Sequence, residues 1–327
     1  MDFEAGMSLE HVNHKTLCEF AKEKVNLPKE RADKFRKQAR NLRDKLETYL
    51  KEHPDFALKR MQLSGSLAKG TGLRTLNDID VAVYIGGIDS SIALSDLLDY
   101  LEEKIRKAYP QFSDDQITRQ TYSICVSFKG SGLDVDLVPI IYEGEPDWRG
   151  YLVSQIDGSY LETSIPLHLE FAKKRKAQQP EHYTQVVRLI KYWARKQKRE
   201  VEDFRFKSFM IEMILAKLCD EGIDFSDYVE ALQAFFTYIV KSNLEQKIIF
   251  EDYYKSSEVG AFSHPVQIID PVNANNNVSN LYTRTQADLI VNAAMAAGDA
   301  IDAAEFAPTK ALTLQYWQSV FGPSFTG

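Results

Sequence analysis

Eleven residues separate Gly65-Ser66 from Asp78-Ile79-Asp80-Val81-Ala82-Val83. Glycine lets a backbone turn approach a ligand closely. A turn that also offers N–H groups and a hydroxyl makes a concavity for an anion. Asp78 and Asp80 are two apart in a β-branched, apolar run, so both point to one face of a strand. A second acidic pair lies in Leu133-Asp134-Val135-Asp136-Leu137-Val138-Pro139. Three carboxylates beside a phosphate-gripping turn suit an in-line displacement at phosphorus, in which two metal ions clamp the attacking and leaving oxygens. Magnesium prefers such oxygen ligands. Without cations the trio is costly, because like charges raise one another's pKa.

Asp136 is the preferred third ligand. The apolar continuation Leu137-Val138-Pro139 fixes it on a buried strand, and its further expected role is general base toward an attacking hydroxyl. Asp134 reads as the spare, a solvated carboxylate at the strand end. Ser66 is expected to face phosphates, with Lys69 and Arg74 adding positive charge in the same segment. The plain alternative is a common β-turn flanked by solvated cations. The order of turn, acidic strand and second acidic strand favours the chemical reading.

These residues need elements to hold them. Residues 28–52 carry Phe35, Ala39, Leu42, Leu46 and Leu50 at helical spacing, after Pro28 and before Pro54, which predicts one long amphipathic helix. Residues 79–85 and 133–141 alternate and are β-branched, so they read as strands. Residues 117–128 read as one further strand around Tyr122, Ile124, Val126 and Phe128, and a helix is expected over 91–109. After about residue 160 helical patterns dominate, over 180–200, 207–221, 228–243 and 285–304. Residues 244–284 look irregular, and the Asn273–Asn277 run reads as a loop. The expectation is an α/β (α+β) chain with a mixed sheet: residues 1–160 form the core with the long helix, and residues 161–327 form a helical lobe that completes a nucleotide cleft.

Composition sets outer bounds. The chain has 327 residues, 44% of them hydrophobic, and a net charge of −7. That supports a sizeable core and argues against a dedicated nucleic-acid binder, while leaving room for a local basic groove. The basic runs Lys173–Lys176 and Lys196–Arg199 read as solvated helix faces. No apolar run approaches the roughly 18 residues of a membrane span. The first residues lack the apolar stretch of a secretory signal, so a cytoplasmic location is expected. Cys18, Cys125 and Cys219 are far apart; they form no zinc or disulfide pattern and read as small buried apolar residues. Trp193 is expected in the core, and Asp270-Pro271 in a structural turn. Tyr316, Trp317 and Phe321 near the end are left between packing on the core and docking a partner.

Gly65-Ser66, Asp78-Ile79-Asp80 and Asp136 together resemble the signature of the polymerase-β-like nucleotidyltransferase superfamily. The second half narrows the likeness. Val187-Arg188-Leu189-Ile190-Lys191-Tyr192-Trp193 is similar to the lysine-bearing helix of the oligoadenylate synthetase and cGAS branch. Phe206-Lys207-Ser208-Phe209 resembles that branch's serine–aromatic step, and Ile268-Ile269-Asp270-Pro271 its Asp-Pro motif. The pattern looks most like the bacterial cGAS/DncV-like nucleotidyltransferases (CD-NTases), and within them the clade found with HORMA-domain and TRIP13-like ATPase partners. This resemblance implies two Mg2+ ions on Asp78, Asp80 and Asp136, with ATP as substrate. It implies Ser66 on the γ-phosphate, Lys191 and Ser208 on the triphosphate, and Phe209 stacking on a base. Its implied product is a cyclic oligonucleotide second messenger for anti-phage (CBASS) signalling, with cyclic tri-AMP favoured. It also implies a HORMA-domain activator, a TRIP13-like regulator and DNA contributing through the complex. The alternatives are a linear oligoadenylate enzyme or other nucleotidyltransferase, a small-molecule adenylyltransferase, and a catalytically silent scaffold.

Overall fold

The computed structural model describes residues 11–53, 57–88, 94–144, 146–153 and 159–327. Pro54, the expected helix start at residue 91 and the first ten residues lie outside that set. Two compact units divide the chain. One comprises Leu27–Lys173; the other comprises Lys174–Gly327 and the described residues up to Asn26.

In the first unit, helix α2 (Lys29–Glu52) buries Phe35, Ala39, Leu42, Leu46 and Leu50 along one stripe, as the spacing predicts. The strands are β1 (Ala57–Leu63), β2 (Asp78–Gly86), β3 (Ile117–Arg119), β4 (Ile124–Phe128), β5 (Leu133–Ile141), β6 (Gly150–Val153) and β7 (Tyr160–Thr163). Their order is β1-β2-β5-β4-β3, with β6 paired to β5 and β7 to β6. β2 and β5 run parallel, while β1 pairs β2 and β4 pairs β5 antiparallel, so the sheet is mixed. The single strand expected over 117–128 is instead a hairpin: Ile117 pairs with Val126, and the Gln120 N–H donates to the Ser123 carbonyl at 2.8 Å. The even-numbered series Tyr122, Ile124, Val126 and Phe128 extends the apolar signal back into the connection, where Tyr122 is exposed, and so masks the change of parity from Ile117.

The side-chain alternation of β2 and β5 assigns the faces of the sheet. Ile79, Val81, Val83 and Ile85, with Leu133, Val135 and Leu137, pack with α2 and with α4 (Leu94–Ala108) in one continuous core. Each fully buried side chain of this kind contributes about 1.5–3 kcal/mol. The even-numbered residues face the other way. Ala82, Tyr84 and Ile140 form a smaller cluster there with Tyr142, Trp148 and Leu152. The buried Tyr84 hydroxyl accepts the Ile165 N–H at 3.1 Å, and burial pushes its pKa up.

Helix α5 (Ile165–Gln178) crosses the boundary between the units. The second unit is mainly helical: α1 (His14–Phe20), α6 (Tyr183–Glu200), α7 (Ser208–Asp220), α8 (Tyr228–Ser242), α9 (Arg284–Glu305) and α10 (Lys310–Phe321). Trp193 is fully buried against Phe236, with ring centroids 4.8 Å apart. Trp317 and Phe321 are buried as well, so the end of the chain packs into its own core. The Asn run is not a loop but strand β9 (Asn273–Asn277), paired with β8 (Ile269–Asp270). Asn277 explains why polar residues can pair there: it is buried, and its side chain accepts the Ile268 and Ser279 N–H groups and donates to the Val266 carbonyl. Arg175, also buried, holds Asp220 and Asp252 in paired contacts of 2.6–3.1 Å.

Candidate active site

The carboxylates meet through strand register. In the parallel β2–β5 pair, Asp78 lies opposite Asp134 and Asp80 opposite Asp136. All four side chains therefore share the even-numbered face, beyond the end of the Tyr84 cluster. The segment that leads into β2 is tied down: Arg31 of α2 donates to the carbonyls of Arg74 and Leu76 at 2.7 and 3.1 Å, and the Asp134 N–H donates to the Asn77 carbonyl at 2.7 Å.

Gly65 and Ser66 open the short helix α3 (Gly65–Lys69). The Ser64 N–H donates to the Asp80 carbonyl at 2.8 Å, which closes this turn onto β2. Gly65 has φ +63°, and a Cβ there would overlap the Asp80 carboxylate. Only glycine meets both demands without strain. The Ser66 carbonyl accepts the Thr71 N–H at 2.9 Å, and its half-buried side chain lies within this turn. The structure thus brings Gly65, Ser66, Asp78, Asp80 and Asp136 to one end of one sheet face.

The two carboxylates of β5 differ. Asp134 Oδ1 accepts a 2.6 Å hydrogen bond from Ser127 Oγ. Asp136 Oδ1 is buried without a hydrogen-bond partner. Burial pushes the Asp136 pKa up; the neighbouring Cys125 thiol partly offsets this, and the charges of Asp78 and Asp134 add to the rise. A buried orphan oxygen and a set of carboxylate donors fit a hard divalent cation, which would satisfy the oxygen and remove the repulsion. Among the described residues no three His, Cys, Asp or Glu side chains are already gathered as an ion cage.

The remaining sequence-derived residues lie in the helical unit. Lys191 on α6 is buried, with Nζ 3.7 Å from Glu212 Oε1 of α7; the side chains are 7% and 6% exposed. Ser208 is the exposed first residue of α7, and Phe209 is half-buried. Asp270 is buried and holds its own turn, accepting the Val272 N–H at 2.9 Å and Asn276 Nδ2 at 3.0 Å. Sequence reasoning missed Glu212. It also missed the placement of Cys125 and Ser127, opposite Asp136 and Asp134. A polar Cys-x-Ser alternation on the strand before Asp-x-Asp was the available signal.

A model of the second messenger oligonucleotide or dinucleotide synthetase domain matches residues 12–174. The chain is 65% identical over 321 residues to the cyclic AMP-AMP-AMP synthase of Escherichia coli (strain MS 115-1), covering 98% of this chain and all of that one. Two solved structures from E. coli MS115-1 share the fold. CdnC with ATP has a TM-score of 0.91 at 65% identity, over 97% of this chain and 100% of that chain. The CdnC:HORMA-deltaN complex has a TM-score of 0.91 at 64% identity, over 98% of this chain and 100% of that chain.

Proposed function

Because the chain belongs to the second messenger oligonucleotide or dinucleotide synthetases, within the bacterial cGAS/DncV-like nucleotidyltransferases, we propose that it converts ATP to cyclic tri-AMP. The observation that carries this reading is 65% identity, over 98% of the chain, to a cyclic AMP-AMP-AMP synthase. The site described above supplies the chemistry. In each step a ribose hydroxyl oxygen bonds to the α-phosphorus of a 5′-triphosphate, first that of ATP and finally that of the linear trinucleotide itself; the bond to the bridging oxygen breaks, and pyrophosphate leaves. The last attack closes the ring.

Asp78, Asp80 and Asp136 would hold two Mg2+ ions, which supply charge neutralisation at the phosphates and activation of the attacking hydroxyl. Asp136 takes the hydroxyl proton. Gly65 brings the α3 turn against Asp80, and Ser66 donates to the γ-phosphate. Lys191 and Ser208 contact the triphosphate, and Phe209 stacks on a base. The ion pair with Glu212, 3.7 Å from Nζ, supports the lysine role by fixing where that side chain lies.

The protein acts in the cytoplasm in anti-phage signalling, under control of a HORMA-domain partner and a TRIP13-like ATPase, with DNA contributing through the complex. Support for the first partner is the solved complex of the 64% identical CdnC with HORMA-deltaN. Among the described residues no helix is long and apolar enough to cross a membrane.

The test is incubation of the chain and its HORMA partner with labelled ATP and Mg2+, followed by mass spectrometry and phosphatase digestion. A phosphatase-resistant cyclic trinucleotide is expected. A phosphatase-sensitive ladder would instead establish linear synthesis, and AMP transfer to a small molecule would establish an adenylyltransferase.

A further inference from the structure

Strand β4 sets a second row of side chains behind the carboxylates. Ile124 and Val126 point into the main core, so Cys125 and Ser127 point to the opposite face, that of the aspartates. Register places Cys125 directly opposite Asp136 and Ser127 directly opposite Asp134. The two β4 side chains touch each other as well, with Sγ and Oγ 4.0 Å apart. Cys125 is only 5% exposed, so solvent does not compete for its thiol.

The two Asp/β4 pairs have different outcomes. Ser127 occupies an oxygen of Asp134 with a short hydrogen bond. Cys125 stands opposite Asp136, and Oδ1 of that carboxyl stays buried and unpartnered. A thiol is a weak donor. It steadies a carboxylate without saturating it, so an oxygen stays available for an ion. Groups behind a metal ligand commonly act in this way, orienting the ligand and tuning its basicity.

We propose that Cys125 is a positioning residue for Asp136, aiming the third carboxylate of the site at a divalent cation. This rests on the reading that Asp78, Asp80 and Asp136 hold the metal. It assigns the buried cysteine a polar task in place of simple packing, and it gives a reason why Asp136, rather than the Ser127-bound Asp134, completes the ligand set.

The test is Mn2+ affinity of the full-length chain, measured by paramagnetic resonance in the presence of a non-hydrolysable ATP analogue. Thermal unfolding of each variant is recorded alongside. Cys125→Ala is expected to weaken Mn2+ binding by about 10–100-fold, the usual effect of removing a group behind a ligand. Cys125→Val, which fills the space without a donor, should lose affinity likewise and keeps the test intact if the smaller side chain destabilises the sheet. Cys125→Ser, which keeps a donor but a stronger one, should bind Mn2+ more tightly than Cys125→Ala and less tightly than the unaltered chain. Asp136→Asn separates the two levels of the argument. If Asp136→Asn loses Mn2+ while Cys125→Ala and Cys125→Val bind it as the unaltered chain does, the positioning role is overturned and the metal site stands. If Asp136→Asn itself binds Mn2+ normally, the metal assignment falls, and the role of Cys125 with it.

Discussion

Strands β2 and β5 present two faces built from adjacent residues, and the faces obey different rules. On one, Ile79, Val81, Val135 and Leu137 are sealed against α2 and α4. On the other, Asp78, Asp80, Asp134 and Asp136 share one face, and Asp136 keeps a buried oxygen without a hydrogen-bond partner. The first face lowers the free energy of the fold. The second costs free energy that the first must offset, because charge is half-buried beside like charge. Stability and the proposed chemistry thus alternate residue by residue along the same two strands, and substitutions one position apart should separate them.

The largest effect expected is on the carboxylate face. Asp78→Ala with Asp80→Ala should reduce pyrophosphate release to background while the protein remains folded by circular dichroism. Persistent turnover in the double variant would break the assignment of that face to chemistry. One position from Asp136, Leu137→Ala should show the reverse. It should cost about 2–5 kcal/mol in denaturant unfolding, the usual penalty of a leucine-sized core cavity, with specific activity retained well below the melting temperature. Loss of activity without loss of stability would show that the faces are not separable.

Gly65→Ala is expected to be intermediate. Placing a Cβ in the left-handed region costs about 1–2 kcal/mol. Because the new methyl overlaps the Asp80 carboxylate, the strain falls on the site. A loss of activity of about tenfold or more, with modest destabilisation, is the expected result in steady-state kinetics. Smaller still is a pH effect. Asp136 has a raised folded-state pKa, so its contribution to stability is present at acid pH and is lost as pH rises through that raised pKa. In metal-free protein Asp136→Asn should therefore melt slightly higher than the unaltered chain at neutral pH, and the difference should shrink on acidification. A difference that grew on acidification would reverse the sign of this account. Tyr84→Phe, in the small cluster past the aspartates, removes the hydroxyl that accepts the Ile165 N–H. It should cost about 1 kcal/mol and leave kcat unchanged.

The elements most legible in the sequence were those with sustained periodicity. Helix α2 and the strands around Asp78–Asp80 and Asp134–Asp136 follow directly from the spacing of their apolar residues. The hairpin of β3 and β4 was hidden because Tyr122, exposed in the connection, falls in phase with Ile124, Val126 and Phe128 and masks the change of parity from Ile117. Strand β9 was hidden because an asparagine run carries no apolar signal, and its stability comes from Asn277 bonds to residues up to eleven positions away. Helices α5 and α10 carried weaker patterns and escaped notice, although Trp317 and Phe321 of α10 were already singled out without a decision on their burial.

The candidate site divides in the same way. The sequence alone singled out the residues proposed to carry the chemistry on the sheet face, because metal-dependent phosphoryl transfer needs a glycine turn and carboxylates in alternation, and both are local patterns. Register decided the rest. It set Asp80 against Asp136 and Asp78 against Asp134, and it set Cys125 and Ser127 behind them. It left Asp136, rather than Asp134, with the open oxygen. Those choices depend on hydrogen bonds between strands separated in sequence by tens of residues, and no local pattern of side chains encodes which residue stands opposite which.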